Sequence, residues 1–151
     1  MNRTKKTLPA LDSNSRGYWA EQLAEQWLAD QGLIPVARNF HRRVGELDLV
    51  LRDEANHRWV FVEVKYRKRN AQVSGAECIT AAKQRRLWRT ASLFLQHAND
   101  HTSEARIDVL IITPNEPSNA AACDQYSIDG YRQQIIQGHR LTWIKNAISW
   151  G

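Results

Sequence analysis

Two segments near the middle of the chain have the hydrophobic pattern of β-strands, yet both carry charge inside an apolar run. They are residues 45–51, GELDLVL, and residues 59–65, WVFVEVK. Their Val, Leu, Phe and Trp content favours strands. The short polar loop between them, residues 53–57, predicts an antiparallel hairpin. Burying a charged group without a partner is costly, so we expect these charged side chains to have a function.

The rest of the chain combines helical and strand patterns. Apolar residues at helical spacing predict one helix over 15–31, ended by Gly32, and a second helix over 76–98. Further elements are a strand at 33–39, a strand at 106–113, a strand or hairpin at 126–136, an edge strand at 141–144 and a terminal helix at 146–150. This order predicts a mixed α/β sandwich, with a flexible basic arm over 1–14 and one domain over 15–151.

Composition narrows the class of protein. The 151 residues suffice for one domain with a core, and 21 Lys and Arg against 16 Asp and Glu give a net charge of +5, which suits a polyanionic partner. No apolar stretch reaches the ~20 residues of a membrane span, so no membrane contact is expected. Cys78 and Cys123 lack metal-ligand spacing and are expected to be free thiols in the cytoplasm.

The predicted hairpin brings three charged residues together. A loop centred near Ala55 places Asp48 opposite residue 62 or 63, and alternation puts Glu63 and Lys65 on one face. Facing carboxylates destabilise a sheet, whereas a divalent cation between them would convert repulsion into chelation. Two carboxylates for Mg²⁺ and a lysine near the attacking water are what metal-assisted phosphodiester hydrolysis needs. The alternative is an ion pair at an exposed end of the sheet.

Two further groups extend this candidate site. Glu21 falls at the edge of the first helix's apolar stripe, where its side chain can reach toward the sheet. The candidate contacts for nucleic-acid phosphates are basic residues of the second helix and one after the third strand: Lys83, Arg86, Arg89 and Arg67. The alternative for the helix residues is an ordinary solvated face.

These residues resemble the Asp…Glu-x-Lys signature of the PD-(D/E)XK, restriction-endonuclease-like nucleases. More specifically, the chain resembles the YraN-like family of small bacterial proteins, which is related to archaeal Holliday junction resolvases. The likeness covers roughly residues 15–113. Besides the strand motif, it includes Gly17-x-x-x-Glu21-x-x-Ala24, Asn39 and Arg106-Ile107-Asp108-Val109.

The resemblance implies a restriction-endonuclease-like αβββαβ sandwich, with a central mixed β-sheet flanked by helices, that binds Mg²⁺ or Mn²⁺. Asp48 and Glu63 would be metal ligands, with the Val64 backbone carbonyl as a third ligand. Lys65 would position the attacking water, and Glu21 would complete the metal site through water.

The expected function is therefore a metal-dependent endonuclease that hydrolyses DNA, with branched or repair-related DNA as the candidate substrate. The alternative is a non-catalytic nucleic-acid-binding protein that keeps the nuclease fold, and a third reading is an interaction module whose acidic residues are structural. The related resolvases act as dimers, so a homodimer is a further expectation, although the sequence shows no dimer surface.

Overall fold

The computed structural model describes residues 13–67, 79–115, 125–128 and 131–149. Two helices and seven strands occur in these ranges: α1 (Ser13–Asp30), β1 (Ile34–Arg42), β2 (Gly45–Asp53), β3 (Arg58–Tyr66), α2 (Ala81–His97), β4 (Glu104–Pro114), β5 (Gln125–Ile128), β6 (Tyr131–Ile136) and β7 (His139–Ile148). The first six elements have the predicted αβββαβ order, so the predicted fold class is confirmed.

The strands form one mixed sheet in the order β1-β2-β3-β4-β7-β6-β5. Strands β1, β2 and β3 are antiparallel neighbours, whereas β3 and β4 are parallel. A parallel pair needs a crossover connection, and α2 lies in the segment that joins β3 to β4. This crossover brings the start of α2 close to the end of β3, where the charged motif lies.

Each face of the sheet is covered by one helix. On one face, α1 buries Leu28 against a core cluster that includes Leu49, Val62 and Leu110 of the sheet. On the other face, α2 packs into a cluster that includes Phe61 and Val109. The helix stripes predicted from the sequence therefore face the sheet, and the layers form an α/β sandwich.

The predicted chain ends need correction. The helix α1 begins at Ser13, two residues before the predicted start at Ser15, and the rest of the predicted arm, residues 1–12, lies outside the described residues. The predicted edge strand at 141–144 is wrong, because β7 lies between β4 and β6. The helix predicted from Asn146 is also wrong, since residues 146–148 continue β7.

A buried carboxylate explains why β7 continues. The pairing of β4 with β7 is irregular between Ile107 and Val109, and Asn146 has a φ of 50°. The Asn146 amide donates to Oδ1 of buried Asp108 at 2.7 Å. This contact fixes the backbone at Asn146 in the irregular part of the strand rather than in a helical turn.

The C-terminal strands otherwise follow the prediction. The expected hairpin within residues 126–136 is confirmed, because Ile128 pairs with Tyr131 and Gln125 pairs with Gln134. Both cysteines, Cys78 and Cys123, lie outside the described residues. In the ranges that the structure describes, no helix is both long and apolar enough to cross a membrane.

Candidate active site

The hairpin of β2 and β3 brings the two motif carboxylates together. Leu49 pairs with Val62, so the next residues along this register are Asp48 and Glu63. This agrees with the predicted placement of Asp48 opposite residue 62 or 63. The Glu63 side chain is only 4% exposed, although it carries a carboxylate. Because Glu63 is buried, the groups that contact its carboxylate determine what the site can do.

Asp48 lies where the regular alternation of β2 breaks. Leu47 and Leu49 are two residues apart, yet Leu47 packs in the core cluster of α2 and Leu49 in that of α1. Asn39, the residue across from Asp48 in the register of β1 and β2, has a left-handed φ of 52°. Beyond the last backbone pair of the hairpin, Oδ2 of Asp48 accepts the Val64 amide at 2.9 Å. A side chain thus continues the connection between the two strands.

The environment of Asp48 strongly favours its protonated form. Burial raises the pKa of Asp48, the charge of Glu63 raises it further, and together they outweigh the Val64 hydrogen bond and bring the pKa to about 8. The side chains of Asp48 and Glu63 also hydrogen-bond to each other. Two carboxyl groups in contact therefore retain a proton at neutral pH unless another cation compensates their charge.

Two lysines contact Glu63 from different elements. The ammonium of Lys65, on the same strand, lies 3.2 Å from Oε1 of Glu63. The ammonium of Lys83, in the first turn of α2, lies 2.6 Å from the same oxygen. Burial lowers the pKa of Lys83, but the hydrogen bond and charge of Glu63 outweigh burial, so the pKa is raised. Lys83, predicted as a phosphate contact, thus lies inside the carboxylate cluster.

Glu21 reaches the same end of the sheet from α1. Burial raises the pKa of its carboxyl group, and the charges of Glu46 and Glu63 raise it as well. The Asn39 side chain hydrogen-bonds to Glu21 and acts in the opposite direction. The structure therefore places Glu21 within electrostatic reach of Glu63, as the position of Glu21 on the helical wheel predicted.

The carboxylates border a cleft of about 220 Å³ between the start of β2 and α2. Its lining residues are Gly45, Glu46, Asp48, Glu63, Lys83, Arg86 and Leu87. At Gly45 the strand lies very close to the helix, because an added Cβ would be 2.9 Å from Oγ1 of Thr90. A side chain at this position would press against Thr90 and push α2 away.

The predicted basic residues do not form one cluster. Arg86 lines the carboxylate cleft, whereas exposed Arg89 lines a second cleft of about 570 Å³ on α2. Arg67 follows β3 directly, and its amide donates to the Ile112 carbonyl at 2.9 Å. Of the predicted phosphate contacts, Lys83 and Arg86 line the carboxylate cleft.

The donor set suits a hard cation that keeps several waters. Among the residues described, no group of three or more His, Cys, Asp or Glu side chains is arranged to hold a metal. Asp48 and Glu63 provide two carboxylates, and Mg²⁺ commonly binds proteins through one or two carboxylates with water completing its shell. The hydrogen bond between Val64 and Asp48 involves the Val64 amide, so the ligand role of the Val64 carbonyl stays a prediction.

Two features of the site were not predicted from the residues themselves. Nothing in the local pattern around Lys83 indicates contact with Glu63, because the contact depends on where the crossover places α2. Asn39 is indicated only by the family resemblance. Its residue type is a usable signal in retrospect, since Asn adopts the left-handed region more readily than most residues.

Fold and site together define a restriction-endonuclease-like α/β sandwich with a carboxylate–lysine cluster at one end of its sheet. Residues 20–112 match the family described as "Uncharacterised protein family UPF0102". The chain belongs to the UPF0102 family, which confirms the YraN-like resemblance.

Relatives match over most of the chain. A UPF0102 protein of Psychrobacter arcticus is 35% identical over 137 residues, which cover 87% of this chain and 79% of the relative. One of Aliivibrio fischeri strain MJ11 is 36% identical over 140 residues, or 91% of this chain and 94% of the relative. One of Aeromonas hydrophila is 41% identical over 105 residues, or 68% and 79% of the two chains. These names give a family and state no activity.

Proposed function

We propose that the protein is a metal-dependent endonuclease that hydrolyses phosphodiester bonds in DNA. The observation that carries the proposal is the cluster at Glu63, where one carboxyl group and two ammonium groups contact a buried carboxylate beside an open cleft. A charge buried as deeply as that of Glu63 is expensive to keep for stability alone. Perturbed carboxyl groups in a cleft are typical of catalytic sites.

Each residue has a distinct role in the proposed reaction. Asp48 and Glu63 would hold Mg²⁺ or Mn²⁺, which supplies Lewis-acid stabilisation of the phosphate charge and a more acidic water. Lys65 would hold the attacking water or the phosphate oxygen, since it shares the Glu63 face of β3. Glu21 would accept a hydrogen bond from a metal-bound water, because its carboxyl group lies at the same end of the sheet.

The basic surface supports a nucleic acid as the substrate. The chain carries a net charge of +5, and Arg86 lines the carboxylate cleft. Cationic side chains beside a metal site can hold phosphate groups on either side of the cleaved bond. Arg67 and Arg89 would contact the polymer further from the cleft. DNA in branched or repair-related form is the proposed substrate, and the cytoplasm is the proposed compartment.

A cleavage assay tests the proposal. Purified protein is incubated in Mg²⁺, in Mn²⁺ and in chelator with linear duplex, single-stranded and four-way-junction DNA. We expect cutting that requires a cation and falls by about 10²-fold or more in Lys65→Ala, the scale of a lost positioned proton-transfer or water-holding group. The matched control is Lys145→Ala. Lys145 lies on β7 over the Trp143 ring and is not among the residues that line the carboxylate cleft.

The outcomes separate this proposal from its alternatives. Cleavage that Lys65→Ala leaves unchanged would remove the proposed site from the reaction. Binding of DNA without cutting, in every cation, would instead support a non-catalytic nucleic-acid-binding protein with this fold. The same samples, run by sedimentation with and without junction DNA, test the expected homodimer.

A further inference from the structure

Glu63 has more positive partners than its charge requires. The ammonium groups of Lys65 and Lys83 contact the same oxygen, Oε1, at 3.2 Å and 2.6 Å. One ammonium is sufficient to neutralise one carboxylate, so the second is available for another role. Lys65 lies two residues from Glu63 on the same strand. Lys83 comes from α2 and is the shorter contact.

Of the two lysines, Lys83 is also better able to break its contact with Glu63. Its side chain is 38% exposed, against 23% for Lys65, and it lines the open cleft. A lysine side chain is long and flexible, and it tolerates movement between water and a polar partner. Its backbone stays fixed meanwhile, because its amide donates to the N-cap Thr80 side chain at 3.2 Å.

A phosphate-binding position lies within the same cleft. Lys83 and Arg86 are three residues apart on α2, so they are neighbours on one face of the helix, and both line the cleft. An ammonium that leaves Glu63 can therefore reach an anion beside Arg86 without any movement of the helix. The two positive groups would then hold a phosphate next to the carboxylates.

From this arrangement we infer that Lys83 is a movable counter-charge of the nuclease site. Its ammonium group neutralises Glu63 in the cation-free protein. When Glu63 binds a divalent cation, the Lys83 side chain moves and its ammonium group pairs with the substrate phosphate instead. Lys83 therefore competes with the cation for Glu63 and contributes to DNA binding only once the cation is present. The inference rests on the proposed function, because it assumes a cation at Asp48 and Glu63.

Cation affinity measured without DNA is the first test. Mn²⁺ is titrated calorimetrically into the wild type, Lys83→Gln, Lys83→Arg and the control Arg85→Gln, since Arg85 is exposed on the same helix and lines the other cleft. We expect Lys83→Gln to bind Mn²⁺ about fivefold to tenfold more tightly, a normal size for coupling between two ligands. Lys83→Arg and Arg85→Gln should stay near the wild type. Unchanged or weaker binding by Lys83→Gln would overturn the inference.

DNA affinity with and without a cation is the second test. Fluorescence anisotropy of a labelled duplex is measured in chelator and in Ca²⁺, which binds oxygen ligands of this kind. Lys83→Gln should match the wild type in chelator and bind about threefold to tenfold more weakly in Ca²⁺, as expected for one lost phosphate contact. If Lys83→Gln loses the same DNA affinity in chelator and in Ca²⁺, Lys83 contacts DNA whether or not a cation is bound, which would contradict its proposed movement from Glu63 to the phosphate.

The two proposals fail in different ways. If the wild type binds no cation and cuts no DNA, the proposed function fails, and the role of Lys83 fails with it. If the wild type binds Mn²⁺ and cuts DNA, but Lys83→Gln has wild-type Mn²⁺ affinity, only the inference about Lys83 fails. Thermal unfolding of Lys83→Gln and Lys83→Arg ensures that both variants are compared as folded proteins.

Discussion

The Asp48 carboxyl group accepts a hydrogen bond from the Val64 amide at 2.9 Å, so the first motif strand is joined to the second by an acidic side chain. Val64 lies between Glu63 and Lys65. The same contact therefore fixes the spacing of all three charged residues. The hydrogen bond also gives a partner to the half-buried Asp48 carboxyl group, whose pKa is raised.

The pKa of Asp48 predicts how the stability of the cation-free protein depends on pH. Its folded-state pKa of about 8 lies above the ordinary aspartate value of 3.8, so the folded protein holds a proton that the unfolded chain releases. The free energy of unfolding should therefore be highest at the acidic end of this interval and fall as pH rises from about 4 to about 8. Urea unfolding in chelator at several pH values measures this trend.

Asp48→Asn is the matched variant for this trend. An amide keeps an oxygen that can accept from Val64 but has no carboxyl proton to lose. The decline in stability between pH 5 and pH 8 should become shallower. The control Glu54→Gln alters an exposed carboxylate and should retain the wild-type slope. If the free energy of unfolding of Asp48→Asn falls with pH as steeply as that of the wild type, the proton held by the folded protein is not on Asp48.

Asp108→Ala should strongly destabilise the fold. Asp108 is fully buried and accepts from Arg106 Nε at 3.0 Å, Trp143 Nε1 at 2.9 Å and the Asn146 amide at 2.7 Å. Removing the carboxylate leaves the buried Arg106 guanidinium without this partner, which costs about 3–5 kcal/mol in comparable buried pairs. Urea unfolding at neutral pH measures the change.

The control for Asp108 is a carboxylate on the same strand. Glu104 is exposed and pairs with Arg58 at 2.8 Å. Exposed ion pairs contribute about 1 kcal/mol or less, so Glu104→Ala should change the free energy of unfolding little. Equal losses in Asp108→Ala and Glu104→Ala would show that burial of the Arg106–Asp108 pair has no special importance for β7.

Gly45→Ala should destabilise the protein and disturb the cleft. An added Cβ would lie 2.9 Å from Oγ1 of Thr90, which is fully buried and donates to the Arg86 carbonyl at 2.8 Å. Thr90 therefore cannot move aside easily, and overpacking of this kind costs about 1–3 kcal/mol. Thermal unfolding measures the loss, and Mn²⁺ titration reports on the carboxylates.

Two further variants isolate the steric cause. Thr90→Ala removes the contacted oxygen, so adding it to Gly45→Ala should cost less than the sum of the two single changes. Gly17→Ala places a Cβ in open space within α1 and should stabilise the protein by about 0.5–1 kcal/mol. If Gly45→Ala is as stabilising as Gly17→Ala, β2 and α2 are not in close contact at this point.

Local pattern predicts the elements of this fold because each has a regular period. The stripe containing Leu23 and Trp27 identifies α1, and the apolar run around Val60 identifies β3. The hairpin register follows from the short loop, so the placement of Asp48 opposite Glu63 is also accessible from sequence. These inferences need only neighbours along the chain or across one tight turn.

Features that depend on distant contacts are not accessible in this way. The interior position of β7 depends on β6, and its continuation past Asn146 depends on buried Asp108, a residue of β4. Contact between Lys83 and Glu63 likewise depends on the crossover. Alternation fails at Asp48 itself, where the facing residue Asn39 takes a left-handed conformation that no period describes.

The proposed metal site at Asp48 and Glu63 is tested most directly by the single-turnover rate of DNA cleavage, measured for the wild type and Asp48→Asn over a range of Mg²⁺ concentrations. We expect saturable, cation-dependent cleavage by the wild type. Asp48→Asn, which lacks one ligand charge, should cleave at least about 10²-fold more slowly, and additional Mg²⁺ should recover part of the rate. Equal rates for the two proteins at every Mg²⁺ concentration would contradict a metal site at Asp48 and Glu63.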